Sequence, residues 1–142
     1  MASRVLPEAG GLDGMVPLRG TQADRGERVM PRMQAGPDGA VEIDYEVRGD
    51  GFPVLLLAPG GMRSSREKWA AVPWPLVEDL SERFRVILMD QRNAGASHAP
   101  VRPGDGWEAY TGDQLALLDH LGVTRCHAIG MCIGGPFVLA LA

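Results

Sequence analysis

Ala128-Ile-Gly-Met-Cys-Ile-Gly-Gly-Pro136 reads as G-x-C-x-G-G set between a short apolar run and an apolar helical stretch. The pattern places a cysteine on a tight strand-to-helix turn, a nucleophile elbow with cysteine in place of the commoner serine. Such a turn holds its central residue in a strained backbone conformation. Side chains two residues before and two after it would collide, so Gly130 and Gly134 carry none. Gly135 is expected to let the helix pack close to the sheet. Pro136 is tolerated because the first helical turn has no intrahelical use for its N–H. Cys132 is therefore the candidate nucleophile. Its place at a helix N-terminus favours a thiolate, and the backbone N–H of Ile133 is a candidate oxyanion donor.

Upstream of the elbow, strand and helix patterns alternate. Val41 to Val47 alternates apolar and polar residues with period two, as in a half-buried strand. Arg48-Gly-Asp-Gly51 is a turn. Pro53 to Ala58 and Phe84 to Met89 are continuous apolar runs, the signature of strands covered on both faces. Cys126 to Ile129 is expected to be a third buried strand. A helix is expected within Pro73 to Arg83, with Leu76, Val77 and Leu80 at helical spacing. A second runs from Trp107 to Leu121, with Leu115, Leu118 and Leu121 in a stripe and Gly122 as its stop. A third starts at Gly134. Strands alternating with helices imply a three-layer α/β architecture around a mainly parallel sheet. Residues 1–39 are different: rich in Gly and Pro, without period, and expected to be a disordered extension ahead of a core domain at 40–142.

Two loops support the elbow. Ala58-Pro-Gly-Gly-Met-Arg-Ser-Ser65 follows the first covered strand, and the N–H of Gly61 or Met62 is the candidate second oxyanion donor. Asp90-Gln-Arg-Asn-Ala-Gly-Ala-Ser97 follows the second. In order, apolar strand, Gly-Gly loop, D-x-R-x-x-G-x-S and G-x-C-x-G-G resemble the α/β-hydrolase fold family over about residues 41 to 142. The resemblance implies that Asp90 and Arg92 are structural, and that catalytic acid and His follow the nucleophile in the chain. It departs from the family at Pro59-Gly60, where His-Gly is common, and at Asn93, where Gly is usual. Neither change removes a backbone donor. Cysteine nucleophiles occur in dienelactone-type hydrolases and in polyhydroxyalkanoate synthases, whose box is also G-x-C-x-G-G.

No acid or His follows Cys132. His98, His120 and His127 all precede it, and the helix from Gly134 carries no C-cap signal. The expectation is an α/β-hydrolase fold truncated after the elbow, with acid, His and lid supplied by a missing part. His120 and His127 are read as structural, and His98 as a solvated loop residue. Cys126 and Cys132 lie six residues apart. An extended path of that length spans roughly 15–20 Å, against the 7 Å or less that a disulfide requires. Cys126 is read as a packed core thiol.

Composition bounds the rest. The 142 residues carry a net charge of −4, which gives no support to nucleic-acid or anionic-membrane binding. Apolar runs are strand-sized, and the N-terminus has no apolar signal region, so a cytoplasmic location is the default. The expected activity is hydrolysis of an ester, thioester or lactone through an acyl-cysteine, on a small-molecule acyl substrate, with no cofactor and no metal. The alternatives are an acyltransferase of polyhydroxyalkanoate-synthase type and a non-catalytic binding protein on the same fold. Oligomeric state and substrate identity are not legible.

Overall fold

In the computed structural model, which describes residues 31–142, the apolar run that begins at Phe52 is a strand buried on both faces. This strand, β3 (Phe52–Leu57), turns Leu55 and Leu57 to one face of the sheet and Val54 and Leu56 to the other, as the period of two requires. Its neighbour β4 (Phe84–Met89) repeats the division, with Ile87 and Met89 on the first face and Val86 and Leu88 on the second. Helices α2 (Trp107–His120) and α3 (Gly134–Leu141) cover the first face with Tyr110, Leu117, Leu118 and Phe137. The second face is covered by helix α1 (Leu76–Ser81) through Val77 and by a 3-10 turn, Arg66–Ala71, through Trp69. Leu55, Leu56 and Leu57 are fully buried, and each contributes about 1.5–3 kcal/mol relative to exposure.

The remaining strands are β1 (Arg32–Ala35), β2 (Val41–Arg48) and β5 (His127–Gly130), and the sheet order is β1-β2-β4-β3-β5. Strand β3 pairs in parallel with β4, Val54 opposite Val86, and with β5, Leu55 opposite Ala128. Strand β2 is antiparallel to both β1 and β4. The sheet is thus mixed, with its parallel part under the loops that matter and an antiparallel flank. Arg48 to Gly51 turns the chain but makes no hairpin, because β4 lies between β2 and β3.

Three expectations need correction. Within the segment expected to be disordered, residues 32–35 form β1, and Met33 and Ala35 are buried in the core; residues 1–30 lie outside the described residues. Two alternating inward residues, four residues long, are too short a pattern to read as a strand without the β2 edge that orders them. Strand β5 is not fully buried: its residues alternate exposed and half-buried, because it has a neighbour on one side only among the described residues. The stripe on α2 is also shifted. Leu115 is exposed, and the buried face is Tyr110, Asp113, Gln114, Leu117 and Leu118. Leu118 of the expected stripe is buried and Leu121 packs against the core, but polar Asp113 and Gln114 also sit inward, which apolarity alone does not indicate. The stop at Gly122 stands. Gly122 has φ +66, its N–H donates to Asp119 O, and Val123 N–H donates to Leu118 O, the two bonds of a Schellman ending.

Candidate functional site

Cys132 has φ +57, a left-handed conformation that costs a residue with a Cβ roughly 1–2 kcal/mol. The turn around it enforces this. Met131 N–H donates to Leu57 O at 3.1 Å, tying the end of β5 to the end of β3. Gly134 N–H then donates to Met131 O at 2.9 Å and Gly135 N–H to Cys132 O at 3.0 Å, which starts α3 at once. A Cβ added at Gly130 would overlap the Gly134 carbonyl, and one at Gly134 would overlap Leu57 O. Both glycines are thus required by backbone contact. Gly135 is not: a Cβ there would meet nothing, so the close approach of α3 to the sheet is made at Gly134 alone. Cys132 itself is exposed, while Cys126 is half-buried against the core, and both thiols are free. Burial raises the Cys126 pKa above its ordinary value.

The Gly-Gly loop leaves the same sheet edge one strand away. Gly60 (φ +124) and Gly61 (φ +57) fold it into a 3-10 turn over Gly61–Arg63. Ser64 anchors the turn: its Oγ donates to Ala58 O at 2.6 Å, and its carbonyl accepts Gln91 N–H at 3.0 Å. That last bond joins the Gly-Gly loop to the loop after β4.

The loop after β4 is a scaffold. Asp90 is buried, and its two carboxylate oxygens accept the N–H groups of Arg66 and Ala96 at 2.8 and 2.9 Å. Ser97 Oγ donates to Asp90 O and accepts from Asp44 N, which stitches the loop to β2. Asn93 holds φ +60 where glycine is usual, and its Oδ1 accepts Ala99 N–H at 2.8 Å. Asn is one of the few residues that enters this region readily. Arg92 reaches α2 and binds Asp113 with two parallel hydrogen bonds of 2.7 and 2.8 Å. The bonds to Asp113 raise the Arg92 pKa further above its ordinary value. Arg92 also donates to Asp105 and to Ala109 O, and lies over the Tyr110 ring.

The Gly-Gly loop, the start of α2 and the head of α3 border an open cavity of about 280 Å³. Gly61, Met62 and Ile133, the three candidate oxyanion residues, all line it; Cys132, the residue before Ile133, is not among the lining residues. Sequence reasoning missed the opposite wall, made by Trp107, Tyr110 and Phe137. A signal was present: Trp107 and Tyr110 are three apart on one helix face, and Phe137 follows Ile133 by four. Tyr110 O–H donates to Met62 Sδ at 3.3 Å, joining α2 to the Gly-Gly loop.

The three histidines sit elsewhere. His98 makes a backbone bridge with Glu42 of β2, a strand that is not adjacent to β5. His120 pairs its Nε2 with Tyr45 O–H at 3.2 Å. His127 begins β5, at the end of the strand opposite the elbow, and packs against Phe52 with ring centroids 4.9 Å apart. It is exposed rather than buried as expected, because β5 is an edge among the described residues. Among the described residues no group of three or more His, Cys, Asp or Glu could hold a metal ion, and no helix is long and apolar enough to cross a membrane.

Comparison with known proteins gives the following likenesses. The sequence pattern of the alpha/beta hydrolase fold matches residues 53–142. A RutD protein of Caulobacter segnis, provisionally named a carbamate hydrolase, is 36% identical over 105 residues, which is 70% of this chain and 37% of that protein. An enol-lactonase from Burkholderia xenovorans LB400 superposes with a TM-score of 0.67 at 30% identity, covering 79% of this chain and 41% of that one. A thermophilic esterase from Thermogutta terrifontis does so with a TM-score of 0.65 at 30% identity, covering 80% and 40%. The chain therefore spans about two fifths of the length of the relatives it matches.

Proposed function

The chain belongs to the α/β-hydrolase fold family, and on that premise we propose that Cys132 is the nucleophile of a hydrolase acting on an ester, thioester or lactone. One observation carries the reading. Cys132 holds a left-handed backbone between two glycines that cannot be replaced without overlap, at the head of a helix and beside the cavity lined by Gly61, Met62 and Ile133. A core thiol needs none of this apparatus. In the proposed first step the sulfur attacks the acyl carbon, an S–C bond forms, and the bond to the leaving oxygen or sulfur breaks. The leaving group takes up the thiol proton. The backbone N–H groups of Ile133 and of Gly61 or Met62 stabilise the oxyanion in between. Water then cleaves the acyl-cysteine, giving the acid and restoring the thiol. That second step needs a base, and no histidine of the chain stands at the elbow.

The first step is therefore the one to test. One equivalent of a generic activated ester should acylate the chain once, and peptide mass mapping should place the acyl group on Cys132. Cys132→Ala should abolish it, and Cys132→Ser should retain little, because a hydroxyl requires a stronger base than a thiol. Acylation mapping to Cys126 would remove the assignment.

A further inference from the structure

The cavity beside the candidate oxyanion residues has a chemical character that the nucleophile reading does not require. Its far wall is three aromatic rings, with Phe137 against both of the others. Trp107 and Phe137 have centroids 4.7 Å apart at 60°, and Tyr110 and Phe137 are stacked at 5.5 Å. The carboxylate and the phenol at this wall are already engaged. Both Asp105 oxygens accept, one from Arg92 and one from Arg102 N–H, and the Tyr110 hydroxyl donates to Met62 sulfur. Among the described residues that line the cavity no charged group is left unpaired, and burial raises the Tyr110 pKa, so the phenol stays neutral. Met62 and Trp107 are nonetheless 71% and 48% exposed, large apolar surface at the mouth of a cavity. At about 280 Å³ the cavity, open to solvent on one side, has room for a benzene ring.

We propose that the Trp107–Tyr110–Phe137 wall is the acyl-binding site of this centre, and that it selects an uncharged aromatic acyl group of about phenylacetyl size. The inference rests on the proposed role of Cys132 for its chemistry, but not for its binding. The acyl side is assigned because the leaving group must depart, whereas this pocket is closed on one side by α2 and α3. A ring in the pocket extends the existing edge and face contacts of Trp107 and Phe137. A small polar acyl group leaves the wall exposed to water.

The experiment uses thioesters with one small, non-aromatic leaving group, N-acetylcysteamine, carrying acetyl, cyclohexylacetyl or phenylacetyl. Single-turnover acylation of the chain is followed by intact mass. Phenylacetyl should transfer at least tenfold faster than acetyl and severalfold faster than cyclohexylacetyl. Trp107→Leu, at a half-exposed position, should cut the phenylacetyl-to-acetyl ratio at least fivefold. Equal rates for the three acyl groups, or a ratio indifferent to Trp107→Leu, would overturn the proposal. Binding is read separately. Phenylacetamide should shift the Trp107 indole N–H resonance, assigned by its loss in Trp107→Leu, in the unaltered chain and in Cys132→Ala alike; acetamide should not. That shift without any acylation would refute the nucleophile and leave the pocket standing. Acylation without the shift would do the reverse.

Discussion

Two adjacent glycines, at 134 and 135, divide differently from the expectation that Gly135 sets the approach of the helix to the sheet. Gly134, not Gly135, abuts Leu57 O. Gly134→Ala should therefore lower stability by about 1–3 kcal/mol or more through overlap that only backbone movement relieves. Gly135→Ala should be neutral or raise stability by about 0.4–1 kcal/mol, since it reduces unfolded-state entropy with no clash. Urea midpoints of the two variants check this, and equal midpoints would show that α3 does not approach β3 as described. The thiols are similarly distinguishable. Cys126 is half-buried with a raised pKa, so its thiolate is scarce at neutral pH and becomes available only as pH rises. Iodoacetamide at neutral pH should label Cys132 first, with Cys126 following in alkaline buffer, as read by peptide mass. The nucleophile candidate was legible because G-x-C-x-G-G constrains the backbone locally. The aromatic wall was not, because Trp107 and Phe137 meet only through the packing of α2 on α3.

At the scale of elements, the link between the loop after β4 and α2 is Arg92. Its side chain is buried, and so is that of Asp113. Arg92→Ala strands a buried carboxylate and should cost about 3–5 kcal/mol. Arg92→Lys should recover only part of this, because an ammonium cannot reproduce two parallel hydrogen bonds. Thermal or urea unfolding of the two variants gives the ordering. Full recovery by Lys would mean that charge, not the fork geometry, holds α2. Arg92 was expected to be structural from its motif, but its partner was not legible. Asp113 lies on a helix whose leucines suggested a partly different inward face, and a buried ion pair makes no apolar pattern. Strands β3 and β4, in contrast, were legible nearly to the residue, since burial on both faces leaves an unbroken apolar run.

For the whole molecule, the alternation of strands and helices was enough to indicate the three layers and the parallel centre. The antiparallel flank was not, because strand direction is set by partners that no local pattern names. Strand β1 is the clearest case. Met33 and Ala35 close the core beside β2, at 3% and 5% exposure. A chain starting at Ala40 should be less stable than one starting at Pro31 by about 2 kcal/mol or more, the burial of one methionine together with an opened β2 edge. Comparing the two melting curves tests whether β1 belongs to the domain. The arrangement of two packed faces below, with the candidate nucleophile and oxyanion residues on turns above, has an evolutionary consequence. The residues that make the protein fold and the residues that would make it react are almost disjoint sets. Cys132 packs against nothing in either core, and Cys and Ser differ there by a single atom on an unchanged turn. A lineage carrying this scaffold can exchange thiol for hydroxyl without putting foldability at stake, whereas Tyr110 and Phe137 of the pocket wall also belong to the core and are not free in the same way. The glycines at 130 and 134 have no such latitude, so divergence in this region should accumulate at the reacting atom and its surroundings before it touches the turn that presents it.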